Sequence, residues 1–352
     1  MKKITKSKVL SVVLVFSLLF GLVGCGNEEE ENKTQDTVVD SSVVDEKSNE
    51  LKTLTIGTPG SDVSNALVLT KVALKQGYLE EELNEIGYTA DIQAFQGAGP
   101  EINAALASAA LDIAVYGDLP AINNNAKGAK TTVIAMDCGK WKYGILYNNE
   151  EIIEGADLAG KNIVVASGTV TDYIWDQYIA DTGLDSTDIS TINSNDYASL
   201  LSTGDADAAV VPVSGAYYNA KKDVGTVLSM NDAPNSYASF VVAIRDDVLE
   251  ENTDIAVAFN KALIRAYQDV KENPQIFFES MATKEMTEDI YKDAFSYMTD
   301  YSELSPEITD EVVEHLNKLD EWLVDKKVLE EKLDISTIID ASYYEQAKNE
   351  LK

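Results

Sequence analysis

Cysteine, histidine and arginine are scarce in this chain of 352 residues. The sequence has two cysteines, Cys25 and Cys138, one histidine, His315, and two arginines, Arg245 and Arg265. So few thiols leave no two-cysteine zinc pair. Catalysis by serine, histidine and aspartate, or by a Cys138–His315 pair, is disfavoured because we expect His315 on a solvated helix face beside glutamates. We therefore predict no metal, no cofactor and no enzymatic activity, and an anion would be bound without an arginine pair.

Positive charge is also scarce. The chain has 28 basic and 60 acidic residues and a formal net charge of −32 at pH 7. Such a surface repels nucleic acid and anionic lipid headgroups, so nucleic-acid binding is excluded, and the acidity favours solubility in an exposed compartment. The hydrophobic content of 45% is typical of a globular protein. The length beyond residue 50 is enough for two lobes of about 100–150 residues each.

The first 24 residues have the pattern of a signal peptide. Four lysines within the first eight residues precede the apolar stretch Val9–Val23. This stretch is shorter than the roughly 20 apolar residues that a membrane span needs. Leu22-Val23-Gly24-Cys25 resembles the bacterial lipobox, in which a lipid is attached to the cysteine thiol. We predict a lipidated Cys25 on the outer face of the cytoplasmic membrane; an ordinary signal peptide with an incidental cysteine is the alternative.

The segment 25–50 is expected to be a disordered acidic tether. Its residues 27–50 include nine acidic residues and only two lysines, Lys33 and Lys47. Few of them could bury apolar area, and repulsion between like charges would extend the segment. We therefore expect it to set the reach of the folded part from the membrane.

Strands and helices alternate in two related units along the rest of the chain. Each unit has three short apolar runs with β character, separated by helical spacing and glycine-rich turns. Alternation of this kind indicates βαβ units on parallel sheets. The predicted strands lie at 54–56, 89–95 and 111–115 in the first unit and at 162–166, 189–192 and 207–211 in the second.

Two further extended stretches, 135–147 and 237–244, are predicted to cross between the two lobes. We expect lobe 1 at 51–136 plus 241–352, lobe 2 at 143–236, and a hinge at 137–142 and 237–240. From about residue 253 the pattern is helical, with Val312, Leu316 and Leu319 on one face. We expect these helices to pack on lobe 1 and to form part of the cleft rim.

The order of the turns resembles a known family. It is similar to the substrate-binding components of ABC importers for sulfonates, taurine and nitrate, which are related to binders of thiamine-pyrimidine precursors. The resemblance implies an α/β, two-lobed periplasmic-binding-protein fold (type II) with two parallel or mixed sheets and a hinge. It also implies a small-molecule solute, and permease and ATPase subunits as partners; we expect a monomer. The matching residues are the strand before Gly57, Gly97-x-Gly99-Pro100-Glu101, Asp112-Ile113-Ala114, Gly117-Asp118-x-Pro120, Leu158 to Lys161 and Ser167-Gly168-Thr169.

The ligand is expected at the carboxyl ends of the strands, where several turns lead into helices. Free N–H groups and the helix dipole at such positions favour an anion, and hydroxyl groups add donors. For each serine or threonine, helix capping is the simpler alternative. The predicted ligand-binding residues are Ser61, Gly99, Gly117, Asp118, Trp141, Tyr143, Ser167, Gly168, Thr169, Asp172, Val213, Ser214 and Tyr237.

Three aspartates and one turn leave the identity of the ligand open. Asp62, Asp118 and Asp172 either cap helices or bind a cationic nitrogen, and a zwitterion such as taurine would use anion and cation contacts together. The family often has Trp-Asp-Pro where this chain has the turn 212–214, Pro-Val-Ser. A thiamine-pyrimidine precursor or another small nitrogen heterocycle is therefore the alternative ligand.

Other assignments are less consistent with the sequence. The glycines near Pro100 lack the third glycine of a dinucleotide fingerprint. Thiamine-pyrimidine synthases related to this family use a cysteine-rich motif that is absent here, and a non-transport surface lipoprotein would not need a cleft lined by turns. Trp141 lies in a linker between two lysines and either lines the cleft or packs in the core. The helical aromatic residues Trp175, Tyr217 and Tyr218 are predicted to be core residues.

Overall fold

The computed structural model describes residues 51–60 and 68–352. Cys25, the signal peptide, the tether, Ser61 and Asp62 lie outside the described residues, so the predictions for them stay predictions. Within the described part of the chain, no helix is long and apolar enough to cross a membrane.

The described residues form nine strands, which separate into two groups. β1, β2 and β3 run parallel to one another, and β5 runs parallel to β6 and β7, as the βαβ pattern predicted. The strands are β1 (Lys52–Pro59), β2 (Tyr88–Phe95), β3 (Ile113–Gly117), β4 (Thr131–Tyr147), β5 (Asn162–Val164), β6 (Ser190–Ile192), β7 (Ala208–Pro212), β8 (Thr226–Ser229) and β9 (Tyr237–Arg245).

Thirteen α-helices in the described residues cover these strands. The longest, α9, buries an apolar face that includes Phe259 and Leu263, and it ends before Pro274 as predicted. The helices are α1 (Leu69–Lys75), α2 (Tyr78–Glu85), α3 (Ala98–Ala107), α4 (Asp118–Ala126), α5 (Val170–Thr182), α6 (Tyr197–Thr203), α7 (Val213–Ala220), α8 (Asp246–Glu251), α9 (Asp254–Glu272), α10 (Gln275–Met281), α11 (Glu288–Ala294), α12 (Asp310–Asp325) and α13 (Ser342–Glu350).

The long strand β4 belongs to both groups. From Thr131 to Lys142 it pairs with β9, which also pairs with β3. From Tyr143 to Tyr147 it pairs with β7 and β8. The extended stretches expected to cross between lobes are therefore strands. The predicted hinge segments 137–142 and 237–240 lie side by side, and the pairing register shifts within them. Such irregularities interrupt the ladder and bend a strand.

Two local boundaries differ from the prediction. β1 was expected at 54–56 but continues to Pro59, because the backbone of 57–59 still pairs with β2. The residues 212–214, expected to be a turn, instead end β7 and begin α7.

The C-terminal helices do not pack on the first strand group alone. α9 packs against α1, α2 and α13, as expected for that group. However, α11 packs against α7, and Trp322 of α12 donates a hydrogen bond to Asp176 of α5 at 2.7 Å. Amphipathic spacing identified the buried faces but contained no information about which neighbours would cover them.

Candidate functional site

Asp118 is the centre of a buried polar cluster at the carboxyl end of β3. Its side chain is 1% exposed. Oδ1 accepts a hydrogen bond from the backbone N–H of Leu119 at 2.7 Å, at the start of α4. Oδ2 accepts one from the backbone N–H of Ser239, in β9, at 2.8 Å. Asp118 was predicted either to cap a helix or to bind a cationic nitrogen. The structure gives it a structural role, because its carboxylate connects the start of α4 to β9.

His315 completes the cluster, and the prediction that it lies on a solvated face was wrong. The imidazole is 3% exposed, and Nε2 lies 2.8 Å from Oδ2 of Asp118. The reason is helical periodicity: position 315 lies three residues after Val312 and four before Leu319, on the apolar face of α12. The neighbouring residues Glu311 and Glu314 remain exposed at the edge of this face. The spacing of Val312, His315 and Leu319 was therefore the signal in the sequence from which a buried histidine could have been predicted.

Three tyrosine rings surround this pair. Tyr237 stacks on the His315 ring with centroids 4.4 Å apart, and Tyr173 of α5 meets it edge-on at 5.9 Å. Tyr143 of β4 is 6% exposed. Burial, with a smaller contribution from the Asp118 charge, raises the pKa of Tyr143 and Tyr173, and burial likewise raises that of Tyr237. All three hydroxyl groups therefore keep their protons at neutral pH and can each donate one hydrogen bond.

The structure brings together six of the predicted site residues near the paired strands β4 and β9. Tyr237 pairs with Lys142, and Tyr143, which follows Lys142, pairs with Pro212 at the start of α7. Tyr143 and Tyr237 therefore lie in the two strands that connect the strand groups. Asp118 follows Gly117, which pairs with Phe240 of β9. Val213 and Ser214 follow Pro212, and both are buried. Tyr173, Ser239 and His315 belong with this group but were not among the predicted site residues.

The turn at Ser167 to Thr169 offers fewer free N–H groups than expected. The backbone N–H of Ser167 donates to Asn193 Oδ1 at 3.0 Å, and that of Gly168 donates to Asp172 Oδ2 at 2.9 Å. Thr169 caps α5 by accepting from the N–H of Thr171. Asp172 thus holds the turn, and its other oxygen lies 3.5 Å from Lys326 Nζ. The exposed side chain of Ser167 is the group here that remains available to a ligand.

Two predicted site residues have clear packing roles. A Cβ atom added to Gly99 would lie 2.5 Å from Pro120 Cβ, so this glycine allows α3 to approach α4 closely. Trp141 is 7% exposed and lies between Phe240 and Phe295, at centroid distances of 5.7 and 4.7 Å. Of its two proposed environments, the structure places Trp141 in the core. Trp175 is also buried, as predicted, whereas Tyr217 and Tyr218 are half-buried.

Both arginines of the chain are engaged in ion pairs. Arg245 bonds to Asp247, and Arg265 to Glu81 and Glu82, at distances from 2.5 to 2.9 Å. Among the described residues, no group of three or more histidine, cysteine, aspartate or glutamate side chains is placed to hold a metal ion. The cationic group next to the cluster is a lysine: Lys140 Nζ lies 5.5 Å from the centroid of the Tyr237 ring and 2.6 Å from Glu311 Oε1.

Comparisons with known proteins agree on one architecture. A family model described as NMT1/THI5 like matches residues 69–276. A candidate aliphatic sulfonates-binding protein of Bacillus subtilis (strain 168) is 23% identical over 348 residues, which cover 96% of this chain and 97% of that protein.

Solved structures of similar shape include two sulfonate-binding proteins named SsuA. The candidate periplasmic sulfonate-binding protein of a sulfonate ABC transporter from Methylobacillus flagellatus KT superimposes with a TM-score of 0.75 and 22% identity, covering 86% of this chain and 95% of that one. The periplasmic aliphatic sulphonate binding protein of Escherichia coli gives 0.66 and 18%, covering 83% and 99%. The predicted two-lobed periplasmic-binding-protein fold is confirmed.

Proposed function

The chain belongs to the NMT1/THI5-like family, and from this premise we propose that it is the extracytoplasmic solute-binding protein of an ABC importer. The observation that carries the proposal is the polar cluster of Asp118, Ser239 and His315 beside the strand that both strand groups share. Ligands of open α/β sheets bind beyond the carboxyl ends of the strands. Asp118 lies at such an end, and the cluster connects it to the crossing strand β9.

The proposed ligand is a small sulfonate, taurine or a nitrate-like solute. Support comes from the relatives, since the Bacillus subtilis protein and the two SsuA structures are named for sulfonate binding. The tyrosine hydroxyl groups and the Ser167 side chain would donate hydrogen bonds to the sulfonate oxygens. Because the arginines are engaged elsewhere, binding would be weaker and less dependent on salt than binding to an arginine clamp.

A small nitrogen heterocycle, such as a thiamine-pyrimidine precursor, is the second candidate for the same transport role. The specific observation in its favour is the set of buried rings at Tyr143, Tyr173 and Tyr237, of which the last two contact His315 beside Asp118. A flat heterocycle gains more from stacking on such rings than a compact sulfonate does.

Binding would close the two lobes about the hinge. The segments 137–142 and 237–240 pair with shifted register, and such an interrupted ladder is a place where the two strands could bend. Lobe 1 would comprise 51–136 plus 241–352, and lobe 2 would comprise 143–236.

The proposal includes a lipid anchor on Cys25. The anchor would hold a monomeric binding protein on the outer face of the cytoplasmic membrane, where it delivers its solute to a permease driven by an ATPase. The segment 25–50 would set the reach. Replacing Cys25 with serine should release the protein from the membrane fraction, leave solute affinity unchanged and reduce uptake. Retention of the variant in the membrane fraction would contradict the anchor.

The proposed role involves no catalysis. Cys138 is fully buried, and its thiol donates to the Glu303 carbonyl oxygen at 3.5 Å. Burial raises the pKa of this thiol, so it stays protonated and is a poor nucleophile. This argues against a cysteine-based reaction.

A thermal-shift screen tests the function. A ligand present at a hundredfold excess over its Kd stabilises the folded state by about 2.7 kcal/mol. We expect taurine, ethanesulfonate or nitrate to raise the melting temperature, with sulfate as the control for non-specific anion effects. A shift with an aminopyrimidine alone would favour the second candidate, and no shift with any of these compounds would contradict the import role.

A further inference from the structure

α12 and the lysine that follows it contact helices of both strand groups. Near one end, His315 Nε2 lies 2.8 Å from Asp118 Oδ2, at the start of α4. At the other end, Lys326 Nζ lies 2.8 Å from an oxygen of Asp176 and 3.5 Å from one of Asp172, both in α5. α4 packs against β3 and β9, whereas α5 packs against β7 as well as β9. α12 therefore connects a helix of the first strand group to a helix that reaches the second.

The contacts lie along one face of α12. His315 and Lys326 are about three helical turns apart, which is about 16 Å along the axis. Trp322 lies between them, one turn before Lys326. The Tyr173 ring of α5 meets the rings of both His315 and Trp322 edge-on, with centroids 5.9 and 5.5 Å away. Because Tyr173, His315 and Trp322 are buried, packing fixes where the C-terminal end of α12 meets α5.

Asp172 connects this end of α12 to the turn at Ser167 to Thr169. Its Oδ2 accepts the hydrogen bond from the Gly168 N–H at 2.9 Å, and its Oδ1 faces Lys326 Nζ. Contacts on both oxygens favour a single rotamer of the aspartate side chain. Ser167 precedes Gly168, and its exposed side chain is the group of this turn that is available to a ligand. A displacement of Asp172 would therefore shift the backbone that carries Ser167.

A simple surface ion pair is the alternative role for Lys326. Its side chain is 38% exposed, and pairs of exposed charges often contribute little to stability. However, the Asp172 side chain is only 16% exposed, and its second oxygen is bonded to the turn. The consequence of losing Lys326 is therefore expected in the geometry of the turn more than in the stability of the fold.

We propose that Lys326 is a positioning residue for solute binding. Through Asp172 it holds the Ser167 turn in place, and α12 acts as a rigid spacer between this turn and the Asp118 cluster. Lys326 does not contact the solute in this arrangement. The inference rests on the proposed function and deepens it, because it assigns a role in binding to a residue that follows α12, far from both turns in the sequence.

Hydrogen exchange at the Gly168 amide, measured by NMR on the chain without its signal peptide, tests the contact in the absence of solute. In Lys326→Met this amide should exchange about two- to fivefold faster, as expected for the loss of a partly exposed ion pair. Lys332→Met is the matched control, because Lys332 is an exposed lysine that pairs with Glu321 at 2.6 Å. Unchanged exchange of Gly168 in Lys326→Met would overturn the proposal.

Calorimetric titration with ethanesulfonate tests the effect on binding. Lys326→Met should weaken the affinity about two- to fivefold, whereas Lys326→Arg, which keeps the charge, and Lys332→Met should bind like the natural chain. Unchanged affinity in Lys326→Met would overturn the positioning role. If the natural chain bound no ethanesulfonate, the sulfonate assignment of the proposed function would fail, and the exchange of Gly168 would decide separately whether Lys326 holds the turn.

Asp172→Asn shows whether Lys326 acts through Asp172. The asparagine side-chain oxygen can accept from the Gly168 N–H but offers no charge to Lys326. In the Asp172→Asn background, Lys326→Met should therefore change neither the Gly168 exchange nor the affinity. Effects as large as those in the natural chain would mean that Lys326 acts through Asp176 or through the fold, and would overturn the proposal.

Discussion

Asp118 and His315 lie 197 residues apart in the sequence, yet the carboxylate and the imidazole meet at 2.8 Å. Both side chains are almost completely buried. The carboxylate also accepts from the backbone of Ser239, so one aspartate connects α4, β9 and α12. An exposed pair of this kind would contribute little, whereas breaking a buried one leaves a desolvated partner without compensation.

Asp118→Ala should therefore destabilise the protein strongly. The substitution leaves the Ser239 N–H and the His315 imidazole buried without an acceptor, and we expect a loss of about 3–5 kcal/mol in the free energy of unfolding. Urea denaturation measures this loss. Asp289→Ala, at an exposed aspartate, is the matched control and should change the stability by about 0.5 kcal/mol or less. A loss below about 1 kcal/mol for Asp118→Ala would contradict the structural role of the cluster.

Local signals in the sequence predicted most of the architecture. The runs around Leu54, Ile113 and Ile163 alternate with helical spacing, and each became a parallel strand. The crossing strands β4 and β9 were also recognised as extended stretches. The position of the C-terminal helices was not predictable, because the apolar face of α12 reveals what is buried but not that Trp322 reaches α5.

The site was harder to predict than the fold. Asp118 and Tyr237 were identified because they lie at a strand end and at a crossing, which are positions defined by topology. His315 and Tyr173 were missed because their roles depend on contacts between helices far apart in the chain. The side chains of Asn193 and Asp172 accept hydrogen bonds from the N–H groups of Ser167 and Gly168. No local sequence pattern predicts that these side chains would use donors that were expected to bind the ligand.

Trp141→Phe should leave ligand affinity unchanged. The indole packs between Phe240 and Phe295, so phenylalanine retains most of the contact, whereas Trp141→Ala should cost about 3–5 kcal/mol of stability. Calorimetry and urea denaturation of both variants measure the two quantities. A tenfold loss of affinity in Trp141→Phe at unchanged stability would mean that this ring touches the ligand.

Asp176→Ala should accelerate ligand release. Asp176 of α5 accepts a hydrogen bond from the Trp322 indole at 2.7 Å and lies 2.8 Å from Lys326 Nζ. These side chains are partly exposed, so the contact contributes about 1 kcal/mol or less to stability. If it holds the closed lobes together, the dissociation rate should rise about two- to fivefold. Stopped-flow fluorescence measures this rate. Asp176→Asn, which keeps an acceptor for Trp322, should show a smaller effect. An unchanged dissociation rate in Asp176→Ala would mean that this contact does not hold the closed lobes together.

Asp137 should make the stability depend on pH in an unusual direction. Its carboxylate accepts from the N–H groups of Val68 and Thr70, both at 2.6 Å, at the start of α1. Burial raises the pKa of Asp137 above its usual value, despite these donors. The stability that this group contributes is therefore complete below the unfolded-state pKa of about 4 and is lost as the pH rises through the folded-state pKa.

Asp137→Asn removes this titration. The stability of the variant relative to the natural chain should therefore increase between about pH 4 and pH 7. Urea midpoints measured across this range for both proteins give the difference, and the many other carboxylates cancel in the comparison. A constant difference, or one that decreases with pH, would mean that the N–H donors outweigh burial at this site.

The most direct test of the account is calorimetric titration of taurine into the chain without its signal peptide, compared with Ser167→Trp. Ser167 is exposed at the turn before α5, so tryptophan should fill the cleft without unfolding the protein. We predict saturable binding of one taurine per natural chain and no detectable binding to the variant, with equal urea midpoints for the two proteins. No binding of taurine or of any other small sulfonate, nitrate or aminopyrimidine by the natural chain, or equal binding by both proteins, would contradict it.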